Sequence, residues 1–436
     1  MVDAELISVL ETLWRVPPPG PENLFSAPGF VSLADICEAR YGSGKAKFAL
    51  STALRSLGLP CLFPAEMLGQ AVEPRIAAEA IDRAFARRTT LRRHMCPLDL
   101  ADKLPQLMFG RARVGSFSAA ELEAMFDAPR LARNFPDKPL ETRRFAQFQW
   151  LVVEEEVNVD PRPEARSIPA LFMDMSRDIG EIEPHLGRFP PAVEAALFFL
   201  LLAPWEQWST MPEVDWRGFR VPWIYTVDDD LLVRPDPTPS VDSLTLEPWI
   251  VEDGSGQEIE LERPTTLPLG GAAEVGLVRF TDIAWNELQA AQATTLFETP
   301  IVHFLVRAFL ADGMDEVMAH MTAIEAALGL EMDHKKWMRQ KPDPHRKVSP
   351  RDRVAARIAA LLNDTARARC YIDLFELRSG FVHGRAGLQR VSTPSRVSAR
   401  SLASDVARAL VNMAVQPVGT RAVVLNNLLD KGVRSL

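Results

Sequence analysis

Three residues near the carboxyl end of the chain could perform acid–base chemistry on a phosphate. Arg378, Ser379 and His383 lie within the segment Tyr371–Ala386, which has the sequence YIDLFELRSGFVHGRA. A guanidinium can bind the non-bridging oxygens of a phosphodiester, and an imidazole has a pKa suited to proton transfer near neutral pH. We therefore predict that Arg378 and His383 form a catalytic site, with the Ser379 hydroxyl as an auxiliary polar contact.

The spacing of this arginine and histidine is weak evidence when it is taken alone. The chain is rich in arginine, and similar spacings separate Arg87 and Arg88 from His94, and Arg339 from His345. The prediction therefore depends on the surroundings of the pair, which are a glycine-rich helix end, an adjacent serine and several nearby cations.

The geometry of a helix restricts how Arg378 and His383 could meet. Five residues of a straight α-helix turn the chain by about 500°, so the two side chains would point about 140° apart. They can converge only if the helix breaks between them, as Gly380 would permit, or if two chains contribute to one site. In the alternative interpretation, Arg378 caps a helical bundle and His383 donates one hydrogen bond.

The surrounding residues favour one type of reaction. No carboxylate-rich group accompanies Arg378 and His383 in the sequence. This favours a reaction without metal or other cofactor, in which a ribose 2′-hydroxyl attacks the adjacent phosphodiester. Such a reaction requires RNA, so RNA is the predicted partner.

Charge is unevenly distributed along the chain. The net charge is -9, yet residues 334–412 hold 17 lysines and arginines against 6 acidic residues, whereas residues 213–262 hold 13 acidic residues against 3 basic ones. Two interpretations remain open: the basic part binds a polyanion, or it docks against the acidic part of the same chain. Under the first, the predicted RNA-binding residues are Lys335, Lys336, Arg353, Arg385 and Arg390.

The hydrophobic pattern predicts a mainly α-helical protein. We expect a mostly helical N-terminal region at 1–212, a small acidic antiparallel β segment at 213–280, a helical bundle at 281–420 and a tail at 421–436. In the bundle, apolar residues recur at helical spacing at 315–330, 351–362, 368–377 and 399–414.

Several local patterns refine this outline. Residues 79–93 resemble a helix with a basic side, residues 145–159 could form a strand, and Ser118 with Glu121 has the spacing of a capping box. The three aspartates at 228–230 are expected to form a turn, because no nearby histidine or cysteine completes a metal ligand set.

Composition excludes several classes of protein. The longest apolar run, at 195–203, is shorter than the roughly 20 residues that a membrane-spanning helix needs. The first residues lack the pattern of a signal peptide, and the four cysteines are far apart, as in proteins with reduced thiols. We therefore expect a cytoplasmic protein without membrane contact.

Residues 315–414 resemble a HEPN domain of the Apea-like type. The resemblance rests on TAIEAAL, DRVAARIAALL, YIDLFELRSGFVHGR and SARSLASDVARALVNMA, and the Arg-x4-6-His motif of HEPN ribonucleases, with its polar residue after the arginine, falls on Arg378, Ser379 and His383. Upstream, HMCPLDLADKLPQLMFG and PAVEAALFFLLLAPWEQW look like parts of uncharacterised bacterial proteins that end in the same domain.

The resemblance implies a helical bundle that forms a homodimer. In this family the two motifs face each other in a composite cleft and cut RNA without metal, often in toxins or antiviral effectors. Some members lack activity and act as RNA-binding or protein-interaction modules. The resemblance thus implies a metal-independent endoribonuclease with Arg378 and His383 as catalytic residues, with a non-catalytic module as the alternative. If the chain is such a nuclease, we expect the N-terminal region to act as a sensor or regulator with a regulatory partner of its own.

Overall fold

The chain is mainly helical, with antiparallel strands in its middle part. The computed structural model describes residues 4–18, 20, 23–42, 47–167, 189–211, 217–252, 256–339, 343–384, 390–415 and 419–435. No helix in this described part is long and apolar enough to cross a membrane. The thiols of Cys37, Cys61, Cys96 and Cys370 are all free, and burial raises the pKa of Cys37 to about 12.

Four helices at the start of the chain form a core of their own. They are α1 (Ala4–Trp14), α2 (Pro28–Tyr41), α3 (Lys47–Leu57) and α4 (Pro74–Ala86). Their apolar faces enclose Leu10, Phe30, Leu54 and Ile81, and Leu232 joins this core from a distant part of the chain.

A five-stranded antiparallel sheet follows, with the strand order β2-β3-β4-β1-β5. Its strands are β1 (Thr89–Leu98), β2 (Leu107–Phe109), β3 (Ala112–Ser116), β4 (Gln149–Asn158) and β5 (Tyr225–Asp228). The central pair, β1 and β4, is in register from Thr89 opposite Asn158 to Leu98 opposite Gln149. The strand predicted at 145–159 is thus confirmed.

The helix predicted at 79–93 is wrong in its second half. Helix α4 ends at Ala86 and β1 begins at Thr89, so Arg92 and Arg93 lie on a strand. The β-branched Thr89 and Thr90 favour this change, and Arg93 forms an ion pair with Glu154 of the neighbouring strand. The region expected to be mostly helical therefore supplies four of the five strands.

Short helices connect the strands and cover the sheet. They are α5 (Ala119–Met125), α6 (Ala128–Asn134), α7 (Thr142–Phe145), α8 (Pro163–Ser167), α9 (Pro191–Leu201) and α10 (Trp205–Trp208). The predicted capping box is present, because Ser118 accepts from the backbone N–H of Glu121 and the Glu121 carboxylate accepts from that of Ser118.

The three aspartates at 228–230 have structural partners. Asp228 ends β5 and pairs with Arg92 at 3.0 Å, while Asp229 pairs with Arg87 at 2.7 Å. Asp230 is fully buried and pairs with Arg166 at 3.0 Å. These carboxylates therefore fasten α4, β1 and α8 to the end of β5.

A separate two-stranded hairpin follows the sheet, as the β-rich pattern at 213–280 predicts. It consists of β6 (Leu246–Glu252) and β7 (Glu258–Pro264), which pair with each other in an antiparallel register.

The remaining described part of the chain is helical. Its helices are α11 (Ala272–Leu277), α12 (Asp282–Gln292), α13 (Ile301–Leu310), α14 (Gly313–Leu328), α15 (Glu331–His334), α16 (Pro350–Leu362), α17 (Thr365–Val382), α18 (Thr393–Ala414) and α19 (Arg421–Val433). The bundle and one face of the sheet share a continuous apolar core that includes Leu151, Leu197, Ile324 and Leu402.

The expected tail at 421–436 is part of the bundle. Helix α19 buries Leu425 and Leu428 in the shared core. Its Gly432 lies so close to α16 that an added Cβ atom would be 1.8 Å from the carbonyl oxygen of Ala356. A domain boundary after residue 420 would therefore cut through the packed interior.

Candidate functional site

Arg378 is placed by the buried face of α17. Asp364 caps the start of this helix by accepting a 2.7 Å hydrogen bond from the Ala366 N–H. Ala368, Tyr371 and Leu374 are buried at helical spacing, and Arg378 lies two turns beyond Tyr371 on the same side of the helix. The sequence of α17 thus directs the Arg378 guanidinium toward the bundle.

Two neighbours hold the guanidinium of Arg378 in position. Its Nη1 donates a 2.8 Å hydrogen bond to Oε2 of Glu325 on α14, and its Cζ lies 4.8 Å from the centre of the Phe375 ring. The Tyr371 hydroxyl donates to the other oxygen of Glu325 at 3.4 Å. Burial, with a contribution from the nearby Glu325 carboxylate, raises the pKa of Tyr371. Arg378 and Tyr371 are therefore both organised by one acidic side chain.

This cluster lines a cleft of about 750 Å³ between α14, α15, α16 and α17. The volume lies within the range of small-ligand sites, which is roughly 300–1,000 Å³. The walls combine apolar side chains with ionisable groups, namely Leu330, Pro350, Val354 and Phe375 with Glu325, Glu331, His334, Arg351, Tyr371 and Arg378. The side chain of Arg378 remains 23% exposed, so a ligand in the cleft can reach it.

His383 lies at the end of α17 and does not line this cleft. Its side chain is exposed, and its backbone N–H donates to the Ser379 carbonyl at 3.0 Å. Ser379 is half-buried on the same last turn. One chain therefore places Arg378 in a cleft and His383 on the surface.

A helix break between the two residues, one of the two arrangements that would let them converge, is absent. Helix α17 continues from Thr365 to Val382 through Gly380, and it ends only at His383. Gly384 then adopts a φ of +59°, the left-handed conformation that favours glycine after a helix. Glycine thus ends the helix after the motif and not within it. Within one chain, the side chains of Arg378 and His383 therefore do not converge.

The predicted RNA-binding residues differ in their burial and in their partners. The prediction that Arg353 binds RNA is wrong. Its side chain is only 3% exposed and pairs with Asp343 at 2.7 Å and with Asp333 at 3.7 Å. A buried, paired guanidinium is unavailable to a phosphate chain. Lys335 is exposed and pairs with Glu331, and Arg390 is exposed. Arg385 and the side chain of Lys336 lie outside the described residues.

Much of the positive charge of residues 334–412 is compensated inside the bundle. Arg351 pairs with Asp352 and Glu376, Arg357 with Asp333, Arg367 and Arg408 with Asp405, and Arg396 and Arg400 with Glu316. Pairing at this scale weakens the inference of a polyanion partner from net charge alone. The two arginines of the cleft, Arg351 and Arg378, are also paired with carboxylates, but their side chains remain 31% and 23% exposed.

The other arginine–histidine spacings have structural explanations. His94 on β1 is 2% exposed and is bonded to Thr226 at 2.9 Å and to Glu155 at 3.0 Å. Burial lowers the pKa of His94, against the opposing effect of the nearby Glu155 carboxylate. His345 is bonded to Asp430 of α19 at 2.5 Å, beside the buried Arg339. The arginines that line a small cleft with His345, Arg339 and Arg353, are themselves buried.

Sequence reasoning missed Glu325 and Arg351. Glu325 lies 53 residues before Arg378, so only the packing of α14 on α17 brings the two together. A usable signal was present, because Glu325 follows Ile324 on an otherwise apolar helix segment. Arg351 lies in the first turn of α16, and its local sequence does not mark it as a cleft residue, because the other walls of the cleft come from α14, α15 and α17.

The described residues contain no group of three or more histidine, cysteine, aspartate or glutamate side chains arranged to hold a metal ion. The cleft itself offers two guanidinium groups, an imidazole, two carboxylates and a tyrosine hydroxyl against an apolar wall. Such a combination can bind a polar, anionic ligand and orient its charged group.

Comparison of the chain with models of protein families, with curated proteins and with solved structures finds no match.

Proposed function

We propose that the C-terminal bundle is a HEPN-type endoribonuclease that cleaves RNA without a metal and acts as a homodimer. Such an enzyme would serve as a toxin or an antiviral defence effector. Arg378 would stabilise the charge that develops on the phosphate, His383 would transfer a proton, and Ser379 would add a polar contact.

The main support for this proposal is the position of Arg378. Its guanidinium is partly exposed in a cleft of about 750 Å³ and is oriented by Glu325 and Phe375. One of its five N–H donors is used by Glu325, which leaves donors for the non-bridging oxygens of a phosphodiester. Because the guanidinium is already oriented before the substrate binds, less free energy is needed to orient it in the transition state.

The proposal requires a second protomer at the end of α17. His383 is exposed there, and Phe381 and Val382 beside it are 43% and 54% exposed. Apolar side chains next to a polar residue are typical of a surface that a partner covers. A second copy packed on this helix end would bring its own motif to the site.

The chemical step is a transesterification. The ribose 2′-oxygen attacks phosphorus as a base removes its proton, and the bond to the 5′-oxygen breaks as that oxygen receives a proton. The products are a 2′,3′-cyclic phosphate and a 5′-hydroxyl end. His383 fits either proton transfer, because imidazole can act as acid or base near neutral pH.

The second candidate is a non-catalytic RNA-binding or protein-interaction module. The observation that favours it is the pairing of Arg378 with Glu325, since a phosphate must compete with that carboxylate. This module would bind RNA in a salt-dependent manner without cutting it.

RNA cleavage by purified protein tests the proposal. We expect Arg378→Ala and His383→Ala each to reduce cleavage by about 100-fold or more, as the loss of an acid–base or charge-stabilising group does. Arg408→Ala is the matched control, because Arg408 is a helical arginine of similar exposure that also pairs with a carboxylate.

Total RNA isolated after induced expression gives the same comparison in cells. Intact RNA with His383→Ala and degraded RNA with the wild type would support the nuclease. Equal cleavage by the wild type and both variants, with unchanged thermal melts, would exclude the nuclease site, while RNA binding without cleavage in the wild type would favour the second candidate.

A further inference from the structure

The β6–β7 hairpin exposes an unusual amount of apolar surface. Trp249, Ile250, Ile259 and Leu261 are 47%, 62%, 43% and 46% exposed. In the described part of the chain, these two strands pair only with each other. An isolated hairpin is marginally stable in water, and exposed apolar clusters mark sites of interaction. The hairpin therefore has the properties of a surface that binds a partner.

Its two faces differ in chemistry. Directly opposite residues of an antiparallel pair point to the same face. On one face Trp249 lies opposite Leu261 and Val251 opposite Ile259, and Arg263 lies over the Trp249 ring at 5.6 Å. We call this the apolar face.

The opposite face carries mainly carboxylates. Glu252 lies opposite Glu258, Ile250 opposite Glu260, and Pro248 opposite Glu262. Glu262 forms an ion pair with Arg144 at 3.0 Å near the body of the protein. The carboxylates farther along this acidic face, at Glu258 and Glu260, are exposed.

In the described part of the chain, the outer edge of β7 has no neighbouring strand, and its residues are more exposed than those of β6. Every residue of β7 from Glu258 to Arg263 is exposed, whereas β6 is partly covered at Leu246 and Glu247. Backbone N–H and C=O groups at a strand edge can pair with an added strand.

Charge decides which strand can be added. A second copy of β7 at this edge would bring a further row of glutamates beside the acidic face, and like charges on neighbouring strands repel. A strand with lysine or arginine in those positions would instead neutralise Glu258 and Glu260.

We infer that β7 is a docking edge for a strand of another protein in which apolar and basic residues alternate. The apolar residues of the partner extend the face formed by Trp249 and Leu261, and its basic residues extend the acidic face. The inference goes beyond the proposed nuclease and does not depend on it.

Peptide binding to the full chain tests this inference. The probes are a short peptide in which lysine and valine alternate and a peptide of the same composition with all valines before all lysines. We expect the alternating peptide to bind about tenfold more tightly, because only its pattern matches both faces. Trp249→Ala should weaken its binding by about the same factor.

Charge reversal supplies a second measurement. Glu260→Lys should weaken binding of the lysine–valine peptide and create binding of a glutamate–valine peptide. Ile283→Ala and Glu287→Lys on α12, which are also exposed but lie outside the hairpin, are the controls and should leave binding unchanged.

Three results would overturn the inference: no binding of the alternating peptide, equal binding of both peptides, or no change on charge reversal. A wild-type dimer that Trp249→Ala dissociates in sedimentation would also overturn it, because a second copy would then cover the hairpin. RNA cleavage is measured separately, so either idea can fail without the other.

Discussion

Burial determines what each arginine of the bundle does. Arg357 is fully buried and Arg353 nearly so, and both surround the carboxylate of Asp333, which is 1% exposed. Arg378 has the same residue type and a similar pairing, but it remains accessible in the cleft. We therefore assign Arg353 and Arg357 to the stability of the bundle and Arg378 to the site.

Substitution of Asp333 tests whether Arg353 and Arg357 stabilise the bundle. Asp333→Asn keeps the shape of the side chain but leaves the guanidinium groups of Arg353 and Arg357 without their shared carboxylate. We expect the free energy of unfolding to fall by about 3–5 kcal/mol, as it does when one partner of a buried ion pair is removed. Denaturant titration measures this change.

An exposed ion pair provides the control for this substitution. Glu376 is 55% exposed and pairs with Arg351, so Glu376→Gln should cost less than about 1 kcal/mol. Equal losses in the two variants would show that burial does not separate these arginines.

Because His320 is buried, we predict that the free energy of unfolding depends on pH. It is 2% exposed, its Nδ1 donates to the Glu316 carbonyl at 2.9 Å, and burial lowers its pKa to about 3. The unfolded chain binds a proton at this residue below about pH 6.5, while the folded chain does not until about pH 3. Stability is therefore lost as pH falls through this interval.

The expected slope for His320 is about 1.4 kcal/mol for each pH unit below 6.5. Denaturant titrations of the wild type and His320→Gln at several pH values between about 7 and 5 measure it. The variant should show the shallower dependence, and identical slopes would mean that His320 does not titrate in this way.

The chemistry of the motif residues could be anticipated from the sequence, but their surroundings could not. Arg378 was identified from its neighbours along the chain. Its partner Glu325 belongs to another helix, and the burial of Arg353 depends on α15 and the segment before α16. Such contacts arise from tertiary packing, which local patterns do not encode.

At the scale of elements, the continuity of α17 is the main result for the site. Gly380 lies inside the helix, and no atom lies within 4 Å of a Cβ added there. Gly380→Ala should therefore stabilise the protein by about 0.5–1 kcal/mol, because alanine favours the helix over the unfolded chain. Thermal or denaturant unfolding measures the change.

Gly432→Ala is the contrasting glycine variant. Its added Cβ would collide with the carbonyl oxygen of Ala356, so α19 must move away from α16 at a cost of about 1–3 kcal/mol. If Gly380→Ala were instead destabilising and abolished RNA cleavage, a break at Gly380 would be required and the continuous helix would be incorrect.

The predicted elements differ in accuracy for physical reasons. The helices of the bundle were recognisable because their apolar stripes recur at helical spacing. Strand β1 was missed because its arginines at 92 and 93 resemble the basic side of a helix, while their partners, Asp228 and Glu154, lie far along the chain. The hairpin was recognisable from its β-rich runs.

At the scale of the whole molecule, the sheet and the bundle form one packed unit. They share an apolar core, and the buried carboxylate of Glu316 binds Arg217 from the central part and Arg396 and Arg400 from α18. The central part of the chain and the bundle, which the sequence predicts as separate regions, are therefore joined by apolar packing and by ion pairs. The site on α17 is thus supported by the central part of the chain as well as by its own helices.

The proposed site requires two chains, because one straight helix holds the side chains of Arg378 and His383 about 140° apart. Mixing two inactive variants tests it directly. A dimer of one Arg378→Ala chain and one His383→Ala chain contains one site in which both residues are intact if each site takes its arginine and histidine from different chains.

The measurement is RNA cleavage after the two variants are co-expressed in equal amounts and purified together. We predict that activity, which either variant alone loses by about 100-fold or more, returns to roughly a quarter of the wild-type value, because half of the dimers are mixed and each holds one complete site of two. No recovery of cleavage in dimers shown to be mixed would contradict a site shared between chains.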